Sequence, residues 1–386
     1  MALQHETGLP RGLDGILTPA LLIDFDAVDH NIAATIRVLS GDANRWRPHV
    51  KTAKLEATMR RLVAHGVIQV KCATTLELHT ALRAGVTDAL IAYSVTDAAA
   101  QRVRALADEF PQARVSALAE RPTQLQLWEG SRVGLFLDIN SGMHRTGMPA
   151  EPLRVVRLAR EIAERGLEFR GLHFYEGHLT QNDLGERTRA AHSAYDKLMK
   201  VVASFEHAKL AVPEVITSGT PALPCALAYQ GLAGGGFVHR VSPGTIVYGD
   251  VRSEQQLPRE WNLRRAVTVL ATVVSRPGDN VVTCDAGHKA VSADAGVPTC
   301  AVLDRDGLTP LHPSEEHLPI RVARGARAPE PGELLRLIPK HVCPTVNNFD
   351  HAVIVRGGAV AGTEPVTARG HEAPLASIPR ASSHSA

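Results

Sequence analysis

Lys51 stands near the end of the run Arg47-Pro48-His49-Val50-Lys51-Thr52, which begins as a strand and would deliver a primary amine at the strand's end. An amine there can form a Schiff base with a carbonyl cofactor if burial, Arg47 or a protonated His49 lowers its pKa; a solvated strand-end lysine is the plain alternative. Leu137 to Gly147 runs from a strand into a glycine-flanked turn presenting Arg145. That guanidinium can grip a carboxylate or phenolate oxygen, or simply face water. In His173-Phe174-Tyr175-Glu176-Gly177-His178, alternation aims His173 and Tyr175 to one side, with a core tyrosine as the plain alternative. Two later loops, Thr217-Ser218-Gly219-Thr220-Pro221 and Ser242-Pro243-Gly244-Thr245, combine hydroxyls with glycines that let backbone N–H groups approach a phosphate. Each is also an ordinary turn. Finally, His341 and Cys343 stand two apart in a segment that reads as a strand, so imidazole and sulfur can converge on one ion. Such a pair suits zinc and leaves open positions, although a buried cysteine is often only a small hydrophobe.

These segments need a frame that gathers strand ends. From Ala20 to about Asp250, short β-leaning runs alternate with segments of helical period, the pattern of βα units around a parallel sheet. The expected strands are Ala20 to Phe25, Val67 to Ala73, Ala89 to Tyr93, Arg114 to Leu118, Val133 to Ile139, Phe169 to Phe174, Glu214 to Thr217 and Val241 to Tyr248. Asp26 reads as a helix cap, and Thr74 with Glu77 as a capping box. No Gly-x-Gly-x-x-Gly turn follows an early strand, which favours a TIM (β/α)8 barrel over a doubly wound sheet. The barrel would deliver Lys51 and the loops to its C-terminal face. Beyond Glu260, apolar stretches punctuated by Gly, Pro and Asp predict a C-terminal antiparallel β domain. The reading divides the chain into 1–19, an N-terminal segment joining the β domain; 20–255, the barrel; 256–375, the β domain with the metal pair; and 376–386, a flexible tail.

The whole composition narrows the partners. At roughly 150 residues per domain, 386 residues imply two domains. Lys and Arg total 42 against 40 Asp and Glu, without long charge runs, so neither nucleic acid nor a membrane surface is expected. No apolar run approaches the roughly 20 residues of a spanning helix. Five cysteines without a CxxC pair, and no apolar leader, suit a cytoplasmic location.

With these residues in view, the chain resembles the D-serine dehydratase and D-threonine aldolase family, related to the bacterial alanine racemases of pyridoxal phosphate (PLP) fold type III. The carriers are Thr18-Pro19-Ala20, Pro48 to Thr52, the Gly142 to Gly147 turn, Tyr175-x-Gly177-His178, Pro243-Gly244-Thr245-x-Val247-Tyr248, Asp285-Ala286-Gly287-x-Lys289-Ala290-x-Ser292-x-Asp294-x-Gly296, Ser314 to His317 and His341 to Asn347. The resemblance implies that Lys51 bears PLP and that Arg145 and Tyr175 lie near its pyridine ring. Ser218, Gly219, Thr220, Gly244 and Thr245 would hold the phosphate, and His341 with Cys343 would bind Zn2+ or another divalent metal. It further implies a homodimer with each active site at the subunit interface, and a lyase acting on a small D-3-hydroxy amino acid through Lys51, His49 and Arg145. Dehydration of D-serine or a relative to a 2-oxo acid and ammonia is the first reading, because the metal pair includes Cys343. Aldolase cleavage to glycine and an aldehyde is the second, and a non-catalytic PLP-binding protein the third. The chain departs from the family at Ala53, where a histidine is usual.

Overall fold

The computed structural model describes residues 8–374, so the expected tail at 376–386 lies outside the described residues. Two sheets organise the chain. The first is wholly parallel and runs in the order β2 (Gln69–Cys72), β3 (Asp88–Ile91), β4 (Arg114–Ala119), β5 (Gly134–Ile139), β6 (Phe169–Phe174), β7 (Glu214–Thr217) and β8 (Val238–Val241). These strands are short and almost wholly buried, as expected where helices cover a parallel sheet. The helices Glu56–Ala64, Thr75–Arg83, Asp97–Glu109, Pro152–Glu164 and Leu184–His207 alternate with them.

The curl is completed by residues 46–50. Trp46 bridges to Val241 of β8 and His49 bridges to Lys71 of β2, both in parallel sense. The Arg47 N–H donates to the Val241 carbonyl at 2.8 Å, and the Val50 N–H to the Lys71 carbonyl at 2.8 Å. This extended segment therefore takes the eighth position and ends immediately before Lys51.

The expected first barrel strand belongs elsewhere. β1 (Ala20–Asp24) lies in the second sheet, parallel to β15 (His351–Arg356) and antiparallel to β9 (Val267–Gly278). An apolar five-residue run buried in either sheet carries no sign of its partner, so periodicity alone misplaced it. The helix Phe25–Val38 after it is capped by Asp24, not Asp26: the Asp24 carboxylate accepts the N–H groups of Asp26 and Ala27 at 2.9 and 3.0 Å. Thr74 caps its helix as read, its hydroxyl accepting the Glu77 N–H at 3.1 Å, but the expected box is not closed: the Glu77 carboxylate accepts the Ala73 N–H at 2.6 Å rather than that of Thr74.

The second sheet also holds β10 (Val281–Cys284), β11 (Cys300–Val302), β12 (Leu308–Pro310), β13 (Leu318–Val322), β14 (Leu334–Pro339) and β16 (Ala359–Pro365), mostly antiparallel. Arg11 bridges to Ala359, and the Thr18 hydroxyl donates to Asp285 at 2.5 Å, laying the N-terminal segment on this sheet. Among the described residues, no helix is long and apolar enough to cross a membrane.

Candidate active site

The two ends of the barrel have opposite characters. At the N-terminal end, fully buried Arg47 donates to Glu214 at 2.8 and 3.0 Å and to Asp88 at 3.0 Å, while Arg170 pairs with Asp88 at 2.8 Å. Arg47 is thus consumed in a structural network and is not the neighbouring cation that the sequence offered to Lys51. The other expected cation also fails. Burial, then the charges of Lys51 and Lys71, hold the His49 imidazole well below its ordinary pKa, so the ring is neutral. Its Nδ1 accepts the Lys51 backbone N–H at 3.3 Å.

At the C-terminal end, the turn after residues 46–50 is locked in place. Lys54 adopts a left-handed φ of 47°, and its ammonium donates to buried Glu77 at 2.9 Å and to the Ala368 carbonyl at 3.2 Å. Ala53 is buried, and its carbonyl accepts the Tyr248 hydroxyl at 2.8 Å. Lys51 stands half-buried within this fixed turn.

The β5 and β6 loops supply the aromatic wall. The guanidinium of exposed Arg145 lies 5.3 Å from the centre of the Tyr175 ring, within cation–π range. A side chain at Gly219 would stand only 3.1 Å from that ring, so glycine is what lets the β7 loop pack against Tyr175. Beneath the ring, buried Lys71 lies 5.2 Å from its centre. Lys71 Nζ hydrogen-bonds His173 Nε2 at 3.0 Å, and His173 Nδ1 meets Asp138 at 2.7 Å. Because a carboxylate only accepts, Nδ1 carries the ring proton and Nε2 receives one from Lys71. Burial, reinforced by the charge of Lys51, brings the Lys71 amine down to about 7.

Buried Glu176 anchors the next loop, accepting the Tyr195 hydroxyl at 2.5 Å and the Ser218 N–H at 3.2 Å. Burial raises its carboxyl to about 7. Ser218 takes a left-handed φ of 52°. Its hydroxyl, with those of Thr220 and Ser242, is buried without a hydrogen-bond partner. Orphaned buried hydroxyls are costly and uncommon, and three on adjoining late-strand loops are the donor set that a phosphate ester would satisfy. Gly244 lets the neighbouring loop pack against the closing segment, because a Cβ there would strike the His49 carbonyl. The last strand lies earlier than the expected Val241 to Tyr248: Val238–Val241 is extended, and Thr245–Val247 turns as a 3-10 helix, so Gly244 and Thr245 stand outside the sheet.

The second domain delivers His341 and Cys343 onto this same face, although not from a strand. Val342–Val346 is a short helix with His341 as its extended N-cap residue. The two side chains are near enough that each shifts the titration of the other, His341 upward and Cys343 downward. Asp250, after β8, holds the helix against the barrel by accepting the Val342 N–H at 3.1 Å. Cys343 Sγ then lies 3.0 Å from Thr52 Oγ1 and 3.6 Å from Thr245 Oγ1. Burial opposes ionisation of Cys343, but His341, the charge of Lys51 and Thr52 together lower its pKa. Burial likewise opposes charging of His341, yet Cys343 and Asp294 raise the imidazole to about 9. Asp294 grips His341 Nδ1 at 2.6 Å, the carboxylate–histidine pairing that orients metal-bound imidazoles. An imidazole and a thiolate fit a divalent cation. Among the described residues no cluster of three or more His, Cys, Asp and Glu completes a closed cage.

The structure therefore gathers Lys51, His49, Arg145, Tyr175, Ser218, Gly219, Thr220, Gly244, Thr245, His341 and Cys343 around one face. Lys71 escaped the sequence reading, whereas Ser242 was read only as part of its loop. The signal for Lys71 was a lysine inside a strand whose neighbours Val70 and Cys72 are apolar, a place that demands a buried partner.

Residues 23–252 match the family model "Alanine racemase, N-terminal domain", and residues 266–355 match "Putative serine dehydratase domain". The chain is 27% identical to D-threonine aldolase of Arthrobacter sp over 92% of this chain and 93% of the relative. It is 27% identical to D-threo-3-hydroxyaspartate dehydratase of Delftia sp. (strain HT23) over 86% of this chain and 92% of the relative. The crystal structure of D-threonine aldolase from Filomicrobium marinum superposes with a TM-score of 0.83 at 30% identity, covering 92% of this chain and 96% of that one. The chain belongs to the D-serine dehydratase and D-threonine aldolase family, on the alanine-racemase-like fold.

Proposed function

We propose that this protein is a PLP- and divalent-metal-dependent lyase acting on a D-3-hydroxy amino acid. The observation that carries the reading is the placement of the Lys51 turn between three orphaned hydroxyls and the His341–Cys343 pair, tied together by Thr52 and Thr245. Ser218, Thr220 and Ser242 would hold the cofactor phosphate, Lys51 would join its aldehyde carbon, and Tyr175 backed by Arg145 would wall the ring. His341 and Cys343 would hold the cation, with zinc the expected ion. When bound, PLP supplies an electron sink for charge at the substrate α-carbon, and a divalent cation supplies Lewis acidity at the β-oxygen.

The chain's own groups do the rest. The Lys51 amine accepts the α-proton, and its position is fixed by the Lys54–Glu77 pair and by His49. Neutral His49 can exchange a proton at its second ring nitrogen. Dehydration is the first reading, because the pair includes Cys343: hydroxide leaves the β-carbon, and the enamine so released takes up water to give a 2-oxo acid and ammonia. Breaking the bond between the α- and β-carbons is the second reading, supported by similarity to D-threonine aldolase. Product analysis on a panel of D-3-hydroxy amino acids separates them: ammonia and a 2-oxo acid indicate dehydration, whereas glycine and an aldehyde indicate cleavage. Turnover of none of the panel by PLP-loaded, metal-loaded protein refutes both. A homodimer is part of the proposal and is tested by the mass in solution.

A further inference from the structure

After β16, residues 366–372 add no strand to either sheet and cross from the second domain to the barrel. On the way they meet both halves of the candidate site. The Ala368 N–H donates to the Lys54 carbonyl at 2.8 Å, and the Lys54 ammonium donates back to the Ala368 carbonyl at 3.2 Å. The Lys54 N–H donates to the Val50 carbonyl at 3.0 Å, so the turn that carries Lys51 is closed between the barrel and Ala368. Thr367 Oγ1 accepts the Glu56 N–H at 3.3 Å, at the start of the next helix. The following residues hold the other half. Asn347 is the C-cap of the Val342–Val346 helix that bears Cys343. Its side-chain oxygen accepts the Gly370 N–H at 2.9 Å, and its backbone carbonyl accepts Arg369 Nε at 3.1 Å. Glu372 ends the crossing, accepting two bonds from Arg102 at 2.9 and 3.0 Å and one from the Thr75 hydroxyl at 2.6 Å.

A left-handed backbone is unfavourable for a lysine and persists only where its surroundings hold it. At Lys54 the holders are Glu77 from the barrel and wholly buried Ala368 from the crossing segment. Loosening the segment would take away the partner of the Lys54 carbonyl and let the turn relax. It would also free the C-terminal end of the Cys343 helix, whose N-terminal end Asp250 holds. Resting on the reading of Lys51 as the cofactor lysine and of His341 with Cys343 as the metal pair, we propose that residues 366–372 form a strap that sets the Lys51 amine against the metal pair. Lys54, Ala368 and Asn347 are its working contacts and Glu372 its distal anchor, all positioning residues that act through Lys51 and Cys343. The anchor itself is a partly exposed ion pair, a kind that adds little to folding stability, so its service is to place the strap.

The test compares wild-type protein with Glu372→Ala, Asn347→Ala and the double variant, each loaded with PLP and zinc. Four readouts are taken: kcat and KM, zinc affinity by competition with a chelator, the rate at which visible cofactor absorbance is lost on dilution, and the melting temperature of the cofactor-free protein. The strap predicts that Glu372→Ala alone lowers kcat about 10-fold with KM little changed, since a full 1 Å misplacement can cost about 100-fold. Zinc affinity should fall and cofactor loss quicken in the same variant, while its melting temperature stays at the wild-type value. The double variant should be no worse than the poorer single one, because both changes free the same segment, whereas independent contacts would multiply. Multiplying losses would overturn the strap, as would wild-type kcat and zinc affinity in Glu372→Ala, or a melting temperature that falls in step with them. Should Asn347→Ala fail to fold, Arg369→Ala, at a half-exposed side chain, takes its place in the cycle. Wild-type protein that traps nothing at Lys51 with borohydride, or that binds no zinc, would overturn the site reading on which the strap rests, a result seen without any variant.

Discussion

Thr52 Oγ1 and Cys343 Sγ lie 3.0 Å apart although 291 residues separate them in the chain. That contact ties the turn bearing Lys51 to the helix bearing the candidate metal pair. On the proposed reading, the turn that would carry the cofactor and the helix that would hold the cation therefore share one pocket wall.

Removing the thiolate tests the sharing. Cys343→Ala should bind less than a tenth of the wild-type metal, by elemental analysis, and lose turnover by about 100-fold or more. Its visible cofactor absorbance should persist, because Thr52 loses only a neighbour.

Asp294 should matter nearly as much without touching the ion. Asp294→Asn removes the carboxylate at 2.6 Å from His341 and frees the ring to turn. Metal affinity measured by competition with a chelator should fall about 10- to 100-fold. Unchanged affinity would mean that Asp294 serves the loop rather than the imidazole.

The hydroxyl cradle makes an unusual demand on stability. Ser218→Ala deletes a buried hydroxyl that has no partner, so the cofactor-free protein should melt no lower than wild type. The same change removes a charge-assisted bond worth about 1.5–3 kcal/mol to a phosphate, so PLP affinity should fall about 10- to 100-fold. Parallel losses in both measurements would assign Ser218 to folding instead.

Glu176 gives a pH signature. Burial raises its carboxyl in the folded protein from 4.5 to about 7. Between those values the folded state holds more protons than the unfolded state, so this group's contribution is full below about 4.5 and is lost as pH rises through about 7. Glu176→Gln should flatten that fall, which is on the order of a few kcal/mol, in denaturant titrations across the window.

Much of this site was legible because strand ends and turn glycines leave local marks. The β2 to β7 strands, the Thr74 cap and the hydroxyl-bearing loops follow from runs, caps and hydroxyls within a few residues of one another. What was not legible depends on distant partners. Ala20–Asp24 reads as a strand, but only Val267–Val269, Leu270 and residues 352–355 decide which sheet receives it. Arg47 looks available beside Lys51 until Glu214 and Asp88 claim it from across the barrel. The His341–Cys343 spacing suggested a strand, yet Cys343 lies in the short helix Val342–Val346 and His341 caps it.

The most direct test is borohydride reduction of the purified protein after incubation with PLP, followed by peptide mapping. The account predicts a coloured protein and a single reduced pyridoxyl label on Lys51, absent from Lys51→Ala. A colourless protein with no label, or a label found on Lys71 while Lys51 remains unmodified, would contradict it.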